Sequence, residues 1–183
     1  MRLGRLDLRA SILSLSADLD VIQHGCAWVG VVAKDGGDVQ AARGLRTGAL
    51  VLVRSRPSKS LLQGRYLRVR ERLLVITSAR DPMGRGAEAV MSCEELVGQP
   101  AQYLPAGGVP RCCRVHLTHE APYRDELGQD VSYMTRAEVA IIEVGRPQEG
   151  DQLRVEGDLY VVSNYAGSSD DGVVRGLWLL PVD

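Results

Sequence analysis

Apolar and polar residues alternate along this chain in short runs of period two, the spacing of a strand with one face in a core. The pattern is clearest over residues 64–76. There Leu67 and Val69 fall on one face, and Arg68 and Arg70 on the other. A turn follows, then a second apolar run, Leu73, Leu74, Val75 and Ile76. The same frame returns without a gap over residues 150–162. It reads glycine, two residues, Leu-Arg-Val, three residues, leucine, one residue, valine and an aliphatic residue. In the second copy Glu156, Gly157 and Asp158 make a hairpin turn, because glycine accepts a positive φ. Each copy predicts a β-hairpin.

A third strand is predicted after each hairpin. Residues 88–94 follow the polar turn from Asp81 to Gly86, and residues 173–180 follow the turn from Gly167 to Gly172. Ahead of the hairpins, residues 8–16, 27–33 and 49–53 read as strands in the first half, and 112–118 and 136–143 in the second. No long stretch keeps apolar residues at i, i+3, i+4 and i+7, so helix is limited to a single turn at 58–63. Five or six short strands in each half predict an all-β chain of two tandem small β-barrel or sandwich domains with long exposed loops.

Residues 97–110 are rich in Gly and Pro and are expected to hold no regular structure, so the domain boundary falls there, between domains at 1–98 and 99–183. Charge changes sign at the same place. Residues 1–98 carry 15 basic and 10 acidic side chains, and residues 99–183 carry 7 and 13, so the net charge of −1 joins a basic half to an acidic one. The apolar share of 45% and charged share of 25% are those of a soluble globular protein. No apolar run approaches the roughly 18 residues of a membrane helix, and the first residues lack the apolar core of a signal peptide. There is no Phe, so the cores must be built from Val, Leu, Ile and Ala. Cys26, Cys93, Cys112 and Cys113 lack the spacing of a disulfide framework and read as reduced thiols of a cytoplasmic folding compartment.

The candidates for chemistry are thin. His116 and His119 lie near Cys112 and Cys113, but residues three apart on a strand point to opposite faces, which argues against a shared metal. His24 and Cys26 have the spacing of a base and a nucleophile without an orienting third group. The turn from Asp81 to Gly86 lacks the Gly-Lys-Ser/Thr of a phosphate-binding loop. Arg65, Arg68, Arg70 and Arg72 form a basic patch, yet only Tyr66 is near enough to stack a base. No constellation of acid, base and nucleophile appears, so neither an enzyme, a cofactor nor a metal is expected.

The first half resembles the head-closure, or stopper, family of tailed bacteriophages. The likeness rests on an early strand, a second strand containing Trp28, a connecting loop, and a module running from Arg65 through Leu73, Arg80, Asp81 and Gly84 to Val90 and Glu94. The second half is similar to the lambda-type head–tail joining, or tail attachment, proteins. It shows their starting turn from Ala101 to Gly108 and the pattern Pro147, Gly150, Asp151, Leu153, Val155, Gly157, Tyr160, with Val162 after it. An acidic turn at Asp170, Asp171 and Gly172 and a closing strand complete the match.

The resemblance implies a structural virion protein of the neck. It would form a ring of about six-fold symmetry that closes the DNA-filled head and attaches the tail. Its partners would be a portal-adaptor ring, tail-terminator or tail proteins, further copies of itself and the genomic DNA in the channel, with no membrane. It would reside in the virion, and in the host cytoplasm during assembly. Two polar loops would then work at the channel or between subunits. The first holds Lys34, Asp35, Asp38, Arg43 and Arg46; the second holds Glu120, Asp125, Glu126 and Asp130. The acidic set suits a wall that repels phosphate, and Arg43 and Arg46 suit contact with DNA or an acidic partner. The competing readings are a tail-terminator or baseplate adaptor protein, and a cytoplasmic oligonucleotide-binding β-barrel.

Overall fold

A computed structural model describes residues 6–33, 44–124, 130–167 and 170–182. Contacts divide the chain into two compact units, Met1–Val97 and Gly98–Asp183. The first contains β1 (Leu8–Leu15), β2 (Val21–Ala33), β3 (Arg46–Ser55), β4 (Tyr66–Val69), β5 (Arg72–Arg80) and β6 (Ala89–Leu96). They close into a barrel in the order β1-β2-β3-β6-β5-β4. The second contains β7 (Gln99–Leu104), β8 (Arg111–Arg124), β9 (Asp130–Ala140), a short helix α1 (Ile141–Val144), β10 (Gln152–Val155), β11 (Asp158–Tyr165) and β12 (Val174–Pro181). It closes in the order β10-β11-β12-β9-β8-β7. Counted from the first strand of each unit, the two orders are the same.

The fold is therefore all-β, and the hairpin repeat in the sequence belongs to a repeat of the whole barrel. Leu67 lies between Ile12 and Leu74, and Leu153 between Tyr103 and Tyr160. Gly64 donates its N–H to Ile76 O at 2.9 Å, and Gly150 to Val162 O at 2.8 Å. The hairpin turns place Arg70 at φ 54° and Glu156 at φ 53°. Each third strand is met across a bulge, at Ile76/Ser78 and at Val162/Asn164. The extra residue is Thr77 in one and Ser163 in the other. Each donates its hydroxyl to a carbonyl across the bulge, Thr77 to Ser92 O at 2.9 Å and Ser163 to Trp178 O at 3.1 Å. A bulge leaves a ladder group unpaired; here a β-branched or small hydroxyl residue supplies the missing donor in both copies.

The inward faces form two apolar clusters. The first is built on Ala10, Ile12, Val29, Val53, Leu67, Leu74, Ile76 and Met91. The second is built on Tyr103, Val115, Ala137, Val139, Leu153, Val162, Leu177 and Leu179. Tyr103 and Tyr160 bring the aromatic volume that a chain without Phe has to find elsewhere. Among the described residues, no helix is long and apolar enough to cross a membrane.

Five local expectations fail, each for a physical reason. The Gly- and Pro-rich stretch does hold a strand, β7, which pairs with β8 and β10. Pro100, which has no N–H to donate, is tolerated there because the β7–β10 ladder ends one residue away, at Ala101–Val155. Residues 141–143 are not strand: β9 stops at Ala140, and the buried Ile141 and Ile142 open α1. A short aliphatic run does not distinguish strand from buried helix. Residues 58–63 form a turn, with Leu61 N–H on Ser58 O at 3.1 Å, and not a helix. The stretch from His119 to Ser132 is not wholly loop, because β8 and β9 run on into it. Strand β2 likewise starts earlier than its alternation implies. His24 is an extra residue opposite the Ile12/Leu13 step, and Gly25 takes φ 119°, which shifts the inward phase there.

Leu67→Ala and Leu153→Ala remove fully buried side chains at equivalent positions. Each should lower stability by about 2–5 kcal/mol. Arg68→Ala, on the outer face of β4, should change it by less than about 0.5 kcal/mol. Guanidinium unfolding followed by circular dichroism separates the two outcomes.

Candidate attachment surfaces

At one end of the second barrel a single carboxylate gathers three segments. Asp151 is 2% exposed. It accepts hydrogen bonds from the Tyr103 hydroxyl, from Ala106 N at 2.7 Å and from Gln148 N at 2.6 Å. These donors come from β7, from the turn after β7, and from the turn before β10. Burial, and then the hydrogen bond and charge of Asp151, push the Tyr103 hydroxyl above the usual phenol range, so it stays a donor. Tyr165 adds a bond from its hydroxyl to Pro147 O, and Arg175 lies over the Tyr165 ring, 5.4 Å from its centroid, while pairing with Asp170 at 2.9 Å. The starting turn and the Pro147–Gly150 pattern, far apart in sequence, are thus held together by Asp151. In the first barrel the equivalent of Asp151 is Arg65, whose guanidinium donates to Ser60 O at 2.7 Å.

The second surface is an arm. Pairing of β9 with β12 ends at Thr135 and Leu179, but β8 and β9 continue to pair through Ala121–Met134, Pro122–Tyr133 and Tyr123–Ser132 to Arg124–Asp130. Beyond the barrel wall the pair is a two-stranded ribbon. A register shift between Thr118 and Ala121, with Glu120 at φ 53°, bends it where it leaves the barrel. Tyr123 braces the arm edge-on against Trp178, with centroids 5.2 Å apart and planes at 77°. On the arm Tyr133 stays 73% exposed, beside an open cavity of about 330 Å³ lined by His119, Met134, Leu179 and Pro181.

The candidate loop residues fare unevenly. Lys34, Asp35, Asp38, Arg43, Asp125 and Glu126 lie outside the described residues. Arg46 opens β3 and donates to Glu94 on β6, so its charge is already matched within the barrel. Glu120 is exposed at the root of the arm, and Asp130 begins its return strand. Sequence reasoning passed over both the arm and the Asp151 hub. The phenol of Tyr103 and the aspartate of the Gly150-Asp151 step were visible, but nothing local to either says that they meet.

His24 bonds Ser14 Oγ at 2.8 Å, whereas the Cys26 thiol lies near Ser11 Oγ at 3.8 Å and Gln23 Nε2 at 3.9 Å. Among the described residues, no group of three or more His, Cys, Asp or Glu side chains is placed to hold a metal. Cys93 and Cys113 are buried, and burial pushes their thiols up to about 12. Cys26 and Cys112 are exposed.

Residues 81–181 match the family model described as phage head–tail attachment protein. The match begins in the turn before β6 and takes in the whole second barrel with its Asp151 hub and arm. No curated protein and no solved structure matches the chain.

Asp151→Ala should cost about 2–4 kcal/mol, because three donors lose a charged acceptor at once. Tyr103→Phe removes one of the three and should cost less, about 1–2 kcal/mol. Denaturant melts of the two variants beside the parent protein check both the size and the order.

Proposed function

Since the chain belongs to the phage head–tail attachment family, we propose that it forms a ring in the neck of a tailed phage, closing the filled head and offering the tail its attachment surface. The family match over the second barrel carries this reading; it makes the chain a structural protein of head–tail joining. The head-closure role of the first barrel would follow from its resemblance to the stopper family; its strand order is that of the second barrel. Two barrels of one topology in a single chain suit a piece that stacks between two different assemblies. The charge division suits the same arrangement: the basic half would meet an acidic portal-adaptor surface, and the acidic half the tail.

The arm is the part best suited to work at the channel. Glu120 and Asp130, with Asp125 and Glu126 between them in sequence, would repel phosphate and let DNA slide past. In the first half Lys34, Asp35, Asp38 and Arg43 fall in sequence between the second and third strands, as Asp125 and Glu126 do in the second half. They would reach DNA or a neighbouring subunit.

Phage produced without this protein should accumulate separate heads and finished tails, seen by electron microscopy, and purified protein should rejoin them. Normally joined particles would overturn the reading. Replacing these four acids, Glu120, Asp125, Glu126 and Asp130, with their amides should leave joining intact and slow DNA ejection by severalfold, measured by dye uptake into released DNA. Unchanged ejection would remove the channel role from the arm.

A further inference from the structure

The two barrels share a register, so each shows what the other lacks. Cys26, Ala27, Trp28 and Val29 on β2 correspond to Cys112, Cys113, Arg114 and Val115 on β8. The correspondence follows from the pairings: Cys26 faces Ser11, which faces Arg68, and Cys112 faces Gln102, which faces Arg154. Arg68 and Arg154 hold the same place in the hairpin repeat.

In the second barrel the ladder between β8 and β9 starts at Val115 and Val139, and α1 covers the residue before it. Glu143 accepts the Arg114 N–H at 2.9 Å and grips its guanidinium at 3.0 and 3.1 Å. The pair is well covered, with 18% and 7% side-chain exposure, and Ile141, Ile142 and Val144 are buried around it. In the first barrel the ladder starts at the equivalent pair, Val29 and Ser55. No helix follows. The connection at residues 56–63 is shorter than the one at 140–149, and Pro57 holds Arg56 away from helical backbone. The space is an open pocket of about 590 Å³, lined by Leu6, Cys26, Ala27, Trp28, Arg56 and Pro57. Trp28 is 59% exposed. An exposed tryptophan in an open pocket is the usual makings of an interface anchor.

We propose that this pocket docks an acidic, aliphatic segment of another neck protein, which takes the place that α1 fills in the second barrel. The inference rests on the head–tail reading. The aliphatic part would cover Trp28, Ala27 and Leu6. The carboxylate would meet the Trp28 N–H, which has no β3 partner in the ladder, and the cations around the pocket. Arg56 lines it and is exposed, Lys59 is exposed just beyond, and exposed Arg9 pairs with Trp28 across β1 and β2. Among the described residues α1 is a segment of this chemistry, and its Ile141, Ile142 and Val144 are buried in their own barrel and not free to serve a second copy.

Cys26 lines the pocket and reports on its occupancy. The test alkylates full-length protein with N-ethylmaleimide, free and in purified joined particles, and reads each cysteine by mass spectrometry. Cys26 should react in the free protein and at least tenfold more slowly in particles, including particles emptied of DNA. A photo-cross-linker carried on Cys26 should capture a peptide of another virion protein with Asp or Glu among aliphatic residues. Trp28→Ala should keep the melting behaviour of the parent and lower the yield of joined particles roughly tenfold or more. Absence of the protein from joined particles overturns the head–tail reading itself. Its presence with Cys26 equally reactive overturns the pocket alone. So does a Cys26 already shielded in the free chain, protection that is lost on DNA ejection, capture of a second copy of this chain, or normal joining by Trp28→Ala.

Discussion

Everything in each barrel depends on one long-range pairing, the first strand against the fourth. Ala10–Val69 through Leu13–Tyr66 close the first barrel, and Ala101–Val155 through Leu104–Gln152 close the second. Closure turns a sheet with two exposed edges into a wall that buries one face completely. It matters more here than in most small barrels, because a chain without Phe has little volume to spare at an incomplete seam. The fourth strands have only four residues each, so the seam is short. Bringing its halves together costs loop-closure entropy. In the second barrel Asp151 offsets part of that cost, because it fastens the turn ahead of β10 to β7 and to the turn beyond it.

The hairpin repeat and the all-β class could be read directly from the residues, since both rest on contacts between near neighbours. Period-two alternation survives where a strand has one exposed face, as from Gln152 to Val155. It fails at bulges. Strand β2 was legible only from Ala27 onward, because the extra residue at His24 puts Gln23 and Cys26 out of step. The arm was hidden for the same reason, by the register shift at Thr118/Ala121 and by polar residues that read as loop. Strand β7 was hidden by its own composition: Pro100 fits because it lies one residue outside the β7–β10 ladder, a position set by pairing distant in sequence. The Asp151 hub belongs to the same class, with every partner across a turn or a barrel seam. These features arise from the closed fold and have no local signature.

The registers also show which positions the two barrels share and where they differ. Inward positions keep their character: Val29 and Val115, Leu67 and Leu153, Ile76 and Val162 are all buried aliphatics. The bulge hydroxyls, Thr77 and Ser163, are kept as well. Exposed outward positions diverge in charge and chemistry, as in Arg70 and Glu156. A barrel wall tolerates such changes because outward side chains contribute little to its stability. The opposite net charges of the two halves are the sum of these exchanges on a shared scaffold.

That division bears on why two barrels are joined in one chain. Two separate proteins that each bind weakly would meet by diffusion, and every copy of each would have to be recruited. Covalent linkage converts the second encounter into an intramolecular one and raises its effective concentration to about the millimolar range. On the proposed reading, a head surface and a tail surface would then become connected wherever either one is bound. The cost is that both barrels must fold well enough to leave no sticky edge before they dock. Closure meets that requirement for the sheet, and α1 meets it on the second barrel. The first barrel keeps Trp28 uncovered at the matching place. If the pocket docks a partner as proposed, Trp28 is the side chain that a joining protein would meet there.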